Sequence, residues 1–248
     1  MILRKLNAAI SEQNWFTALQ EILIVVVGIF IGLQVDDWNE SRKDHAREVE
    51  YLRRIDSELA QDIDEFKSGI TLANRRTGDA QLILTALADP TLASRKPTEF
   101  VRALVRAGFT YSPVVSDHTF EEIKSAGELG IIADATLRIS ITEYYQQVRQ
   151  EGQWEYLREM NQTEYLKRQA GILPPVLFQT FFTNRDGTDV MPDQAVAAYE
   201  RLTNRPELIE WLPITIAFLQ ETKLGNQTAM ERAENLREKI AASLGNRN

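Results

Sequence analysis

The sequence has no cysteine among its 248 residues and only two histidines, His45 and His118. The absence of cysteine excludes disulfide bonds, thiolate nucleophiles and cysteine-ligated zinc. The sequence also has no HExxH zinc motif, no glycine-rich phosphate loop and no nucleophile elbow. We therefore expect a protein that is not an enzyme and that holds no metal ion and no cofactor.

Basic residues are in the minority, with 28 Lys and Arg against 36 Asp and Glu, which gives a formal net charge of −8. They also form no dense block. A nucleic-acid partner needs a basic surface that displaces counterions from phosphates, so the composition argues against one. The composition is 44% hydrophobic, which is enough for one domain with a substantial core.

One long apolar run stands near the start of the sequence. Residues 22–33 are twelve apolar residues without interruption, bracketed by Trp15 and Trp38. A helix over residues 15–35 is about 30 Å long, which matches the hydrocarbon thickness of a bilayer, and tryptophans favour the headgroup region. We predict a transmembrane anchor over residues 15–38. A buried core helix is the alternative, while the acidic pair that follows the run argues against a cleaved signal peptide.

The orientation of this anchor is decided by weak signals. The N-terminal tail, residues 1–14, carries Arg4 and Lys5, while three basic residues follow the anchor: Arg42, Lys43 and Arg47. Counting lysine and arginine alone favours a cytoplasmic C-terminal domain, but that rule weakens when a large domain follows. We favour a cytoplasmic N-terminus and a periplasmic C-terminal domain in the bacterial cytoplasmic membrane.

Two features inside the predicted anchor suggest contact with another helix. Gly28 and Gly32 form a GxxxG pair, which lets a second helix approach closely, although glycines also occur in anchors that do not associate. Gln20 and Glu21 are polar residues at the edge of the run, and a carboxylate inside the bilayer needs a partner. If the span begins only at Ile22, both lie at the membrane boundary instead.

The helical pattern continues past Trp38. Apolar residues recur every three or four positions from Val49 to Ile70, which predicts a stalk helix over residues 39–72 with one apolar face. The remaining positions are mostly charged. We interpret four acids of this stretch as a solvated helix face: Glu58, Asp62, Asp64 and Glu65.

The rest of the sequence predicts an all-α domain that extends from residue 39 to residue 248. Strand signals are few, and residues 172–191 are the least regular part, with aromatic residues that fit either short strands or a packed loop. Thr119 to Glu122 match a capping box at the start of a short helix. We predict further helices over residues 79–88, 97–108, 135–169 and 192–203, and a long last helix after Pro206 with a kink at Pro213.

His118 lies beside several acids in the sequence. A mononuclear metal site is conceivable there with Asp117 and Glu121 as further ligands. Local turn chemistry explains the same acids without a metal, and we favour that interpretation.

Two stretches of the sequence have a recognisable pattern. The first is EILIVVVGIFIGLQVDDWNESRK, residues 21–43, where an acid precedes an aliphatic span that is followed by a glutamine, acids, Trp-Asn-Glu and a basic pair. The second is TFEEIKSAGELGIIADATLRISITEYY, residues 119–145. Together they resemble a bacterial family of membrane-anchored helical proteins that is known as a domain of unknown function. The resemblance implies a bacterial source, a single anchor and a mostly helical domain, and it points to Glu21 and to Trp38 with its two following residues. It implies no activity.

These observations lead to three functional hypotheses. The first is a non-enzymatic scaffold or accessory subunit of a membrane assembly, which contacts the lipid bilayer and a membrane protein partner or forms a homo-oligomer through Gly28, Gly32 and the apolar face of the stalk. The second is a ligand-sensing helical bundle that relays to a partner protein. The third is a metal-dependent enzyme built on Asp117, His118 and Glu121.

Overall fold

A computed structural model describes residues 15–152, 155–183 and 189–245 of the chain. These ranges contain helices, turns and connecting segments and no β-strand, as the sequence predicts. In chain order the helices are α1 Trp15–Ala88, α2 Thr91–Arg95, α3 Pro97–Arg106, α4 His118–Ser125, α5 Ala135–Gly152, α6 Glu155–Gln169, α7 Pro175–Thr183, α8 Pro192–Thr203, α9 Pro206–Ile209 and α10 Trp211–Gly245, with a 3₁₀ turn at Leu129–Ile131.

Helix α1 is one unbroken helix of 74 residues, which makes it about 110 Å long. The separate helix predicted over residues 79–88 is wrong, because those residues are the last turns of α1. The two glycines in this part of the chain do not interrupt the helix. Gly69 is buried where Asn226 packs against it, and Gly78 is exposed with nothing near its missing side chain. The stalk is thus the middle of one continuous rod.

Helix α10 lies antiparallel to the second half of α1. Asp56 accepts a hydrogen bond of 2.8 Å from Arg237 near the end of α10, while Gly69 meets Asn226 further back along it. The predicted kink at Pro213 is wrong. Pro213 lies in the first turn of α10, where no intrahelical hydrogen bond is lost, so the helix begins beside the proline instead of bending at it.

Two clusters of buried apolar side chains divide the domain along its length. The near core lies closer to the apolar run at the start of α1 and consists of Leu52, Ile55, Leu59, Ile63, Phe66, Phe120, Ile123, Ile132, Leu137, Ile141, Tyr144, Tyr145, Ala229, Ala233, Leu236 and Ile240. The far core surrounds the other end of α1, and its members include Ile83, Phe100, Leu104, Tyr165, Ile172, Leu202, Leu208 and Leu212. The predicted apolar face of the stalk forms one wall of the near core.

Residues 109–133, here called the strap, run back along α1 toward its apolar run. The strap contains α4 and the 3₁₀ turn, and Gly127 adopts a φ of 72° where α4 ends. Asp134 then caps α5, because its Oδ1 accepts hydrogen bonds from the backbone N–H of Thr136 (2.8 Å) and Leu137 (3.2 Å). The strap therefore lies between α1 and α5, with both ends fixed by helices.

The irregular stretch predicted over residues 172–191 contains α7, so short strands there are wrong. Residues 184–188, which include the predicted turn, lie outside the described residues. The single helix predicted over residues 135–169 is described as α5 and α6, and the two residues between them are also outside the described ranges.

Candidate functional site

The apolar segment, residues 19–35, stands outside both cores. Its large side chains are exposed all round the helix, from 47% at Val27 to 63% at Phe30. The best 18-residue window has a mean hydropathy of 1.9, and none of it is buried. Among the described residues this is the one helix that is long and apolar enough to cross a membrane. The alternative of a core helix within its own chain is wrong.

The predicted contact residues of the apolar segment share one face. At 100° per residue, Glu21, Gly28 and Gly32 lie within about 20° of one direction on the helix. Apart from the adjoining residues and the local helix backbone, no atom lies within 4 Å of the position that a Cβ would take at either glycine. Gln20 and Glu21 are exposed. The face is therefore open along its length, with a carboxylate near one end and two glycines at its middle.

Trp38 follows the apolar segment and is 65% exposed. The Arg42 guanidinium lies over its ring, 5.6 Å from the ring centroid. Trp15 is the first residue of α1, and its side chain is outside the described residues. The predicted anchors at residues 15 and 38 therefore lie on the same helix, one at each end of the apolar segment.

Carboxylates of α1 fasten the strap, and we call Glu48, Glu58, Asp62 and Glu65 the acidic seam. Glu58 accepts hydrogen bonds from the hydroxyl of Thr119 (2.6 Å) and from its backbone N–H (3.2 Å). Glu65 accepts from the Val114 backbone N–H at 3.3 Å and from the Tyr111 hydroxyl. The hydroxyl of Tyr111 in turn has its pKa raised by this carboxylate.

Asp62 is the buried member of the acidic seam, with a relative exposure of 0%. It accepts hydrogen bonds from the backbone N–H of Ser116 (2.9 Å) and from the hydroxyl of Tyr144 on α5 (3.0 Å). Burial raises its pKa to about 6, against the opposing effect of these two hydrogen bonds, and the charges of Glu58 and Glu65 raise it further. Asp62 thus joins α1, the strap and α5 at one point.

Two further contacts hold the strap to α1, closer to the apolar segment. Glu48 is 2% exposed and accepts a hydrogen bond of 2.9 Å from the Ala133 backbone N–H. Arg54 pairs with Glu122 at 2.5 Å, and the Arg54 guanidinium holds the pKa of that carboxyl below its usual range. Together these contacts fix the strap along several turns of α1.

Two predictions from the sequence are therefore wrong. The capping box is wrong because Thr119 bonds to Glu58 and Glu122 bonds to Arg54, while α4 begins one residue before Thr119. The solvated acidic face is wrong for Glu58, Asp62 and Glu65, which accept hydrogen bonds from the strap. Only Asp64 fits the prediction, with its side chain 81% exposed.

The two acids of the metal site considered above, Asp117 and Glu121, pair with an arginine side chain instead. Arg149 on α5 donates to Asp117 at 2.9 Å and also to Glu121, and it holds the pKa of Glu121 below its usual range. His118 is the exposed first residue of α4. Within the ranges that the structure describes, no group of three or more metal-ligating side chains is found. The local geometry is an ion pair between the strap and α5.

A recess lies between α6 and α10, at the level between the two cores. It encloses about 350 Å³ and is lined by apolar side chains of Leu157, Phe218 and Leu224 and by polar side chains that include Arg158, Glu221 and Asn226. A smaller hollow of about 80 Å³ shares Arg158 and Asn226 with it. Nothing in the sequence pattern predicts this recess, because it depends on how two distant helices meet.

The described fold and contacts define a class of protein: a helical domain built on one long helix whose first part is apolar and exposed. The chain belongs to DUF6090, a family of unknown function, whose family model matches residues 21–169. No curated protein and no solved structure matches the chain. The resemblance to a domain of unknown function is therefore confirmed.

The matched range has a clear structural meaning. It begins with the apolar segment, at Glu21, and ends with the last residue of α6. It therefore includes the acidic seam, the strap and α5, which are the parts that the hydrogen bonds above join together. Helix α10, which forms the opposite wall of the near core, lies outside the match.

Proposed function

We propose that the protein is a single-pass, membrane-anchored helical scaffold or accessory subunit of a membrane assembly, without catalytic activity. One observation carries this proposal: α1 continues without interruption from the exposed apolar segment into the near core and the far core. A helix that is shared between the anchor and the domain fixes the domain rigidly relative to the anchor. Such a connection suits a protein that holds the surface of its domain at a fixed place relative to the membrane for a partner to bind.

The energetics favour lipid around the apolar segment. Twelve large apolar side chains of residues 19–35 are more than 45% exposed in the single chain. At about 1.5 kcal/mol or more for each, their transfer from water is worth on the order of 20 kcal/mol. That exceeds the net stability of a typical domain, which is about 5–15 kcal/mol. The segment therefore requires a nonpolar surrounding, and a bilayer supplies it over the whole circumference.

The proposed location is the bacterial cytoplasmic membrane, with the N-terminus in the cytoplasm and the domain in the periplasm. The short N-terminal tail carries Arg4 and Lys5, which favour retention on the cytoplasmic side. The domain that follows is large enough to be translocated irrespective of the basic residues near the anchor. The bacterial assignment comes from the family resemblance.

The proposed assembly forms through the face that contains Glu21, Gly28 and Gly32. The apolar face of the stalk is not available for it, because the near core of the same chain buries Leu52, Ile55 and the apolar residues that follow them. That part of the oligomer hypothesis is wrong. The outward face of the stalk is polar, so the proposed association is confined to the apolar segment.

Crosslinking in native membranes tests this proposal. We expect the wild-type chain to give an oligomer ladder or one defined heterologous product, and Gly28→Leu with Gly32→Leu to abolish it because the partner helix no longer approaches closely. Val26→Leu is the matched control, since residue 26 lies about 140° round the helix from Glu21. A chain that is monomeric and without a partner in the membrane contradicts the assembly. Recovery of unaggregated full-length protein in the aqueous fraction, without detergent, contradicts the anchor.

A further inference from the structure

The open face of the apolar segment is one continuous stripe. Glu21, Gly28, Gly32 and Val35 lie within about 40° of one direction on the helix and extend over about 21 Å along its axis. We call these four residues the docking face. All four are exposed in the single chain, so no described part of the chain covers the face.

Charges of opposite sign stand at the two ends of the docking face. Glu21 lies at the end nearer the N-terminus, and residues 15–20 contain no basic residue to pair with it. Arg42 and Lys43 follow the other end, one on each side of the face, at about 60° and about 40° from its direction. Both are exposed. A helix that lies along the docking face therefore meets a carboxylate at one end and basic side chains at the other.

Most acids that follow the apolar segment lie on the other side of the helix. Four of them line a hollow of about 460 Å³ between α1 and the strap: Asp37, Glu40, Asp44 and Glu48. They lie at about 100–180° from the direction of the docking face. Within residues 36–44, Asp36 is the one acid near the face, at about 60° from its direction. The two basic residues therefore outnumber the acid beside them.

We propose that the docking face binds one transmembrane helix of a different membrane protein, which carries a lysine or arginine level with Glu21 and an acid level with Arg42 and Lys43. The glycines let this helix approach closely, and the charge pairs at the two ends fix its register. A second copy of this chain fits the face poorly, because two parallel copies place Glu21 against Glu21 and basic residues against basic residues. This inference rests on the proposed membrane assembly and specifies its partner.

Co-expression with designed single-span partners in a bacterial host tests the proposal, because the chain has no cysteine of its own. The complementary partner has a lysine level with Glu21 and a glutamate level with Lys43, and the exchanged partner has these two residues swapped. Both partners carry two glycines on the same face and a periplasmic domain that fixes their topology. One cysteine in each partner lies level with Val35→Cys of the chain. Disulfide-linked products are measured on non-reducing gels.

We expect about fivefold more mixed product with the complementary partner than with the exchanged one. We also expect the mixed product to exceed the product between two copies of the chain. Reversing the charges of the chain, by Glu21→Lys with Arg42→Glu and Lys43→Glu, should reverse the preference between the two partners. Immunoblots of washed membranes show that each variant is inserted.

Gly28→Leu with Gly32→Leu is expected to remove the mixed product, and the control Val26→Leu is expected to keep it. Equal yields with the two partners, or no yield with either, overturn the proposal, and so does a predominant product between two copies of the chain. The membrane assembly itself still stands in those cases if crosslinking in native membranes gives a product. Absence of any product in native membranes contradicts the assembly as well.

Discussion

At the scale of single residues, the acidic seam shows how carboxylates hold a segment that is distant in the sequence. Glu58, Asp62 and Glu65 accept hydrogen bonds from backbone N–H groups more than 45 positions further along the chain. Each of these bonds satisfies a donor of the strap that no helix or sheet satisfies. The strap is irregular over part of its length, and the seam replaces the missing regular structure.

Asp62 gives this seam a pH dependence of defined sign. Its pKa of about 6 lies above its ordinary value of 3.8, so the folded chain binds this proton more tightly than the unfolded chain. The stabilisation from protonated Asp62 is complete at a pH below its pKa in the unfolded chain. It is lost as the pH rises through its pKa in the folded chain. We expect the contribution of Asp62 to make the protein more stable at pH 5 than at pH 7.5 by about 1 kcal/mol.

Asp62→Asn removes this dependence. Denaturant unfolding of the wild type and of Asp62→Asn, measured at both pH values, should show that the variant loses the difference. The control is Asp64→Asn, because Asp64 lies on the same helix with an exposed side chain. Carboxylates whose pKa is lowered, such as Glu121 and Glu122, stabilise the protein more as the pH rises. They are present in the wild type and in both variants, so their effect cancels in the comparison. An equal pH dependence in Asp62→Asn contradicts the assignment.

The sequence predicted the apolar residues of the seam region and misjudged the polar ones for a physical reason. Leu52, Ile55 and Leu59 follow the helical period, so their burial follows from spacing alone. The acids lie beside that apolar stripe and look like solvated residues, because their partners come from the strap and not from α1. The one signal in the sequence that these acids are partly buried is that they all lie on one side of the apolar stripe.

At the scale of elements, close contacts between helices fix the geometry of the far core. Gly108 follows α3, and a Cβ there would overlap the ring of Tyr165 on α6. Tyr165 has an exposure of 0%, and its hydroxyl donates a hydrogen bond of 2.8 Å to the Leu104 carbonyl oxygen. The ring is therefore fixed on two sides and cannot give way to a side chain at residue 108.

Gly108→Ala is expected to destabilise the protein by about 1–3 kcal/mol, because added volume in a packed core forces side chains out of their rotamers. Gly78→Ala makes the same chemical change on the exposed surface of α1 and is expected to stabilise the protein by about 0.5–1 kcal/mol. The midpoints of thermal unfolding measure both effects. Equal shifts in the two variants contradict the packing argument.

Most helices were predictable, and the errors have physical explanations. Proline positions correctly placed the starts of α3 and α8, and Asp134 correctly placed the start of α5, since these residues mark where helices begin. The continuity of α1 was missed because Gly78, directly before the predicted second helix, resembles a break, although it is helical and exposed. Helix α7 was missed because aromatic residues beside a proline pair also fit strands and loops.

At the scale of the whole molecule, the sequence predicted an all-α chain with one exposed apolar helix and could not predict how its parts meet. The apolar segment is detectable from composition alone. The strap, the seam and the recess each depend on pairs of residues that are far apart in the sequence, such as Asp62 with Ser116. Periodicity reports which face of a helix is buried and not which segment covers it.

The proposed orientation is directly testable because the chain has no cysteine. Ser68→Cys places a single thiol on the exposed surface of α1 within the domain, and Ser11→Cys places one in the N-terminal tail. With a membrane-impermeant maleimide, we expect the thiol at residue 68 to react in cells with a permeabilised outer membrane. The thiol at residue 11 should react only after lysis of the inner membrane. The reverse pattern contradicts a periplasmic domain.

The antiparallel pairing of α1 with α10 has a consequence for biosynthesis. The face of α1 that includes Phe66 is translated early, whereas Ala229, which helps to cover it, follows 163 positions later. At typical elongation rates of roughly 5–20 residues per second, this apolar surface emerges from the ribosome about 10–30 seconds before the part of α10 that buries it has been translated. The nascent chain thus needs a chaperone or an early strap to shield it during that interval.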